Sequence, residues 1–171
     1  GMQIGRERIY HFMEWVSQDV SLAEKAGLMS RAVFSGDLSV FPVLGNRAMG
    51  GDSVLSAKED VQRENWLARL KSNAVSAGVS TPSFAYQQLL SPQFNSEYLP
   101  ALSVFIFIGE VLNKALVKQL RRRFPQAKII NSYGPTEATI ATTVVEITDE
   151  ILNSDSAVLP VGVMMHESKM E

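Results

Sequence analysis

Apolar positions recur at helical spacing near the start of the chain. Ile9, Phe12, Met13 and Val16 fall at i, i+3, i+4 and i+7, which predicts a helix over residues 6–20 with one buried face. Gly27 breaks that period, and residues 28–34 predict a short strand. Glycines at 45, 50 and 51 mark a turn-rich passage before a weak strand at 53–57. A helix over 59–72 follows, with Leu67 and Leu70 on its apolar side, and then a strand over 75–80. Thr81-Pro82-Ser83 predicts a helix start, because proline suits the first turn and a preceding hydroxyl can cap. Phe84, Tyr86, Leu89 and Leu90 are that helix's apolar residues.

The clearest unit comes next. Val104-Phe105-Ile106-Phe107-Ile108 is an unbroken apolar run, as expected of a strand covered on both faces. Asn113 can cap a helix in which Leu112, Leu116, Val117, Leu120 and Phe124 line one side, and Pro125 stops it. Residues 128–131 form the next short strand. Strand, helix and strand with short connections make a βαβ unit and a parallel pair, so the expected fold class is α/β with a mostly parallel sheet. Residues 140–148 alternate weakly and predict a further strand or hairpin arm. The last residues, 163–171, have no period and are expected to form an irregular tail.

Composition narrows the function classes. Of 171 residues, 46% are hydrophobic and 20% charged, the usage of an ordinary globular domain rather than a disordered chain. The formal net charge of −2 gives no general attraction to nucleic acid or anionic membranes. Cysteine is absent, which removes disulfides, thiolate zinc sites and cysteine nucleophiles together. No apolar run approaches the ~18 residues of a membrane span, so a cytoplasmic protein is expected. Arg121-Arg122-Arg123 falls in the last turn of a helix, where cations suit the dipole.

In an open parallel sheet, ligands sit at the carboxyl ends of strands. Three segments leave such ends: residues 35–39, Gly109-Glu110, and Ser132-Tyr133-Gly134-Pro135-Thr136-Glu137. The last offers a ring that can stack on a planar base, a hydroxyl that can donate to a phosphate oxygen, and a carboxylate that can hold Mg²⁺. On spacing alone the plainer account, a Gly-Pro loop with a glutamate in solvent, stays open and is the commoner case.

The segment Asn131-Ser132-Tyr133-Gly134-Pro135-Thr136-Glu137-Ala138-Thr139 closely resembles the adenine and phosphate motif of the adenylate-forming ligases, the superfamily of acyl-CoA synthetases and nonribosomal-peptide adenylation domains. Phe34-Ser35-Gly36-Asp37-Leu38-Ser39-Val40, Ser80-Thr81-Pro82-Ser83-Phe84, Gly109-Glu110-Val111-Leu112 and Leu159-Pro160-Val161-Gly162 follow the order and spacing of the D-alanine:carrier protein ligases within it. The resemblance implies a partial AMP-binding domain over residues 1–162. It further implies that Tyr133 stacks on adenine with Gly134 beside it, Asn131 lies near the amino edge of the base, Thr136 touches the α-phosphate, and Glu137 holds Mg²⁺. Gly109 and Glu110 would line the junction of the adenine and acyl pockets. Asp37 would pair with the substrate's α-ammonium group, and Ile108 would stand beside the acyl pocket, where D-alanine ligases often carry a cysteine. Gly36 stands where the family usually has an aromatic residue.

The function so implied is ATP-dependent activation of a small amino acid, D-alanine in the ligases it resembles, and its transfer to a carrier protein. The family's phosphate loop lies upstream of the resembling region and its lysine-bearing C-terminal domain lies downstream. The resemblance therefore places no catalytic residue within these 171 and implies a segment inactive by itself. A non-catalytic nucleotide-binding or assembly module is the other reading. Sheet edges exposed in such a segment lead to an expectation of homodimers; neither nucleic acid nor a membrane span is expected.

Overall fold

The computed structural model describes residues 7, 10, 14, 27–30, 53–55, 66–134 and 142–164. Glu7, Tyr10 and Glu14 are helical and exposed, the solvent face of the expected first helix; its apolar residues lie outside the described set. Among the described residues, strands β1 (Gly27–Ser30), β2 (Ser53–Leu55), β3 (Val75–Ser80), β4 (Val104–Phe107), β5 (Lys128–Tyr133), β6 (Thr143–Glu146) and β7 (Val163–Met164) form one sheet. Its order is β2-β1-β3-β4-β5-β6-β7. The pairs from β2 to β5 are parallel, whereas β6 and β7 add to one side in antiparallel fashion.

Four helices are described: α1 (Trp66–Ser72), α2 (Pro82–Leu89), α3 (Lys114–Arg123) and α4 (Asp149–Asn153). The two βαβ units β3-α2-β4 and β4-α3-β5 share the central strand. Both helices start where side-chain caps predict. The Thr81 hydroxyl accepts from the Phe84 N–H with Pro82 in the first turn, and Asn113 Oδ1 accepts from the Leu116 N–H at 2.9 Å, each satisfying an amide that has no partner within its helix. Leu112 lies just before that cap rather than inside the helix, yet it is buried. It takes the position from which a hydrophobic staple fixes the approach of the chain to a helix.

All four residues of β4 are buried. Phe105 and Phe107 pack with Phe84, Leu116, Leu120 and Phe124 in one core. Phe94, Phe105 and Phe124 meet edge to face, with ring centroids 5.0 to 6.1 Å apart, the arrangement the ring quadrupoles favour. Trp66 Nε1 donates to Gln88 Oε1 at 3.1 Å inside this core and so joins α1 to α2. Helix α3 uses two cations to hold the ends of α4. Lys114 Nζ donates to the Ser154 carbonyl at 2.5 Å, while Arg121 bonds the Ile147 carbonyl and pairs with Asp149. Arg123 reaches the Pro92 carbonyl at 3.0 Å. Two of the three consecutive arginines are therefore fastened to neighbouring segments rather than left to solvent.

Several boundaries differ from those the sequence predicts. Leu90 is 84% exposed; it caps α2 as its last turn closes and does not belong to its buried side. Strand β5 continues through Ser132 and Tyr133, because β6 pairs with it to the end. Val163 and Met164, expected in an irregular tail, form β7 against Val144 and Thr143.

Gly162 makes that last pairing possible. Its φ is +90°, and a Cβ there would lie 1.9 Å from the Val144 carbonyl oxygen. No side-chain adjustment relieves a clash with backbone. Gly162→Ala should lower stability by roughly 2–4 kcal/mol, the left-handed penalty adding to the steric one. Urea unfolding of both proteins measures this, and coincident midpoints would show that β7 does not sit against β6 as described.

Candidate functional site

The parallel ladder brings three chain exits to one edge of the sheet. Ser80 pairs with Phe107, and Phe107 with Asn131. Beyond that shared level, β3 leads through Thr81 into α2, β4 leads through Ile108 to Gly109 and Glu110, and β5 ends at Tyr133 and Gly134. The Ile108 N–H donates to the Ser80 carbonyl at 3.2 Å, so the alignment continues one residue past β4. Gly109 and Tyr133 each lie two residues beyond the Phe107–Asn131 pair, Tyr133 still within β5 and Gly109 past the end of β4.

Tyr133 has a fixed backbone and a free ring. Its carbonyl accepts from the Thr142 N–H at 2.8 Å and from the Thr142 hydroxyl at 3.0 Å. The residue is 54% exposed. An aromatic face held at a strand end and open to solvent can stack on a planar ligand. Asn131, two residues earlier on the same face, is buried, and its Nδ2 donates to the Pro160 carbonyl at 2.8 Å. That bond ties the segment leading to β7 against the sheet. Ser132, on the other face, donates to the Thr143 carbonyl at 2.6 Å.

Gly109 adopts a φ of +91°, which any other residue would occupy under strain, although a Cβ there would meet only Thr81 Cγ2 at 3.9 Å. The turn it makes carries Glu110 back towards α2. Oε2 of Glu110 accepts from both the backbone N–H and the hydroxyl of Ser83, at 2.9 and 2.5 Å. A carboxylate at a helix N-terminus also gains from the helix dipole. Partial burial pushes the Glu110 carboxyl up, but the Ser83 hydroxyl, the Ser83 N–H and the Thr81 hydroxyl together outweigh it and hold the group below its ordinary value.

Of the residues singled out from sequence, Asn131, Tyr133, Gly134, Gly109 and Glu110 thus gather at the carboxyl edge of β4 and β5. Ile108 reaches the same edge but is buried. Asp37, Thr136 and Glu137 lie outside the described residues. Among the described residues no group of three or more metal-binding side chains occurs. The pattern did not reveal that Ser83 and Thr81 hold Glu110. Thr81-Pro82-Ser83 read as a helix start and as part of the resemblance, without a role at the site; the usable signal was the adjacency of the two strands that deliver these segments to one edge.

A family model described as AMP-binding enzyme matches residues 4–171. The D-alanine--D-alanyl carrier protein ligase of Bacillus licheniformis is 40% identical over 163 residues, covering 95% of this chain and 32% of that protein. The enzyme of the same name from Listeria monocytogenes serovar 1/2a is 39% identical over 176 residues, covering 99% and 33%. The chain therefore spans about a third of the length of the curated relatives it matches. Among solved structures, the Vibrio cholerae adenylation domain AlmE in complex with glycyl-adenosine-5'-phosphate superposes with a TM-score of 0.77 at 22% identity, over 96% of this chain and 30% of that one. At that identity the likeness speaks for the fold. Among the described residues no helix is long and apolar enough to cross a membrane.

Because the folded carboxyl of Glu110 lies below its ordinary value, its contribution to stability is fully present above the unfolded value and is lost as pH falls through the folded one. The stability gap between wild type and Glu110→Gln should be widest near neutral pH and close in acid. Urea unfolding across a pH series measures it. A gap that widens on acidification would contradict the hydrogen bonding seen here.

Proposed function

The chain belongs to the AMP-binding enzyme family, and on that premise we propose that it supplies the nucleotide-facing edge of an ATP-dependent ligase that activates a small amino acid for a carrier protein. One observation carries the reading: the exposed Tyr133 closes β5, two residues past the Phe107–Asn131 pair from which the neighbouring chain leads on to Gly109. A base stacked on the tyrosine would have open backbone beside it, where a side chain would intrude.

The remaining roles are those the resemblance implies, and the chemistry of the residues suits them. Thr136, three residues past Tyr133, would donate to the α-phosphate. Glu137 would share Mg²⁺ with the phosphates, as that ion is commonly held by one or two carboxylates together with substrate oxygens. Asp37, in the segment that follows β1, would pair with the amino acid's ammonium group, since a cation taken out of water needs an opposite charge. Ile108 would border the acyl pocket. D-alanine is the substrate proposed, after the names of the relatives. In such a reaction the amino acid's carboxylate attacks the α-phosphorus, pyrophosphate leaves, and the carrier thiol then displaces AMP.

Base stacking on an aromatic ring contributes about 1–3 kcal/mol. Tyr133→Ala should therefore weaken AMP binding by roughly five- to 150-fold, while Tyr133→Phe keeps most of it. Isothermal calorimetry on the 171-residue chain reads both. Equal AMP affinity in wild type and Tyr133→Ala would refute the stacking role and, with it, the nucleotide reading of this edge.

A further inference from the structure

Two hydrogen-bonded rungs join α2 to the irregular connection between β4 and α3. In the first, Ser83 donates twice to Glu110. In the second, the Tyr86 hydroxyl donates to Asn113 Oδ1 at 2.9 Å, the same oxygen that caps α3. Ser83 and Tyr86 are three residues apart and so share one face of the helix; Glu110 and Asn113 are three apart on the connection. Both rungs bridge residues 27 apart in sequence.

The two ends of this connection are held differently. Leu112, near the Asn113 rung, is buried in the core, whereas Val111 is 78% exposed. Gly109 has no side chain with which to anchor itself, and Glu110 is itself exposed. After the buried Ile108, the two bonds from Ser83, with the Thr81 hydroxyl beside them, tie Glu110 and so the stretch nearest Tyr133 to α2. A glycine peptide has wide conformational freedom, so a wall built on it needs a tether if it is to present one surface to a ligand.

We propose that Ser83 is a positioning residue for the nucleotide site, holding the Gly109–Glu110 peptide, through the Glu110 carboxylate, at the height where it borders a base stacked on Tyr133. This rests on the nucleotide reading above and adds a residue that touches no ligand. The carboxylate of Glu110 is engaged by the helix, so its part in the site is to set the backbone. Tyr133 and the Gly109 peptide then form opposite sides of one slot, the first fixed by the β5–β6 pairing and the second by α2.

The test is AMP calorimetry on wild type, Ser83→Ala, Ser83→Thr, Glu110→Gln and the double variant Ser83→Ala/Glu110→Gln, each at a temperature well below its own unfolding transition. Ser83→Ala should weaken AMP binding by roughly three- to tenfold, since the hydroxyl bond to a charged acceptor is lost while the backbone bond stays. Ser83→Thr, which keeps the hydroxyl, should return within about twofold of wild type. The double variant should bind no more weakly than Glu110→Gln alone, because residues acting through one another do not add. Losses that add in the double variant, or unchanged affinity in Ser83→Ala while Tyr133→Ala still weakens binding, would overturn the positioning role and leave the nucleotide reading standing. Failure of wild type to bind AMP at millimolar concentration would overturn both.

Discussion

The in-register parallel pairing of β3, β4 and β5 is the constraint on which the site depends. β4 is buried along its whole length, so a slip of one residue would exchange its two faces and bring Val104 and Ile106 to where Phe105 and Phe107 meet α2 and α3. The aromatic cluster around Phe105 makes that exchange costly, since three rings of matching shape would lose one another. With the register fixed, Ser80, Phe107 and Asn131 stand level. The residues that follow them then reach one edge without further direction.

Beyond that edge, position is set by hydrogen bonds rather than by packing. Asn131 holds the Pro160 carbonyl, Tyr133 is fixed through its carbonyl by Thr142, and Glu110 is tied to the start of α2. Away from the edge, Lys114 and Arg121 hold the ends of α4. These arrangements share a logic. A side chain satisfies a polar group that would otherwise lack a partner, and the bond also fastens a distant part of the chain. The exposed ring of Tyr133 is the exception at this edge, and an exposed aromatic side chain on a rigid strand end is what a stacking ligand requires.

Much of this was legible in the sequence because it depends on local chemistry. The apolar run of β4, the caps at Thr81 and Asn113 and the stop at Pro125 follow from residue type and short spacing. The parallel pairing of β4 with β5 follows from the short helical crossover between them. Features that depend on a distant partner were not legible. β5 gains Ser132 and Tyr133 because β6 returns beside it, and β7 forms because Gly162 admits the Val144 carbonyl. Leu90 has the residue type of a core position, but the closing turn of α2 carries it into solvent. The Ser83–Glu110 bond joins residues 27 apart, and only the strand order brings them together. The resemblance supplied the candidate site residues at the end of β5, and the register explains why Asn131 and Tyr133 stand at the strand end that Phe107 also reaches.

The central claim is that the carboxyl ends of β3, β4 and β5 form a single nucleotide-binding edge. Amide chemical shifts of the ¹⁵N-labelled chain during AMP titration test it most directly. The account requires shifts that move together at Thr81, Ser83, Gly109, Glu110, Tyr133 and Gly134, with the opposite strand ends at Val75, Val104 and Lys128 unmoved. Shifts concentrated at those opposite ends, or scattered across the surface without a cluster at the first six, would contradict it.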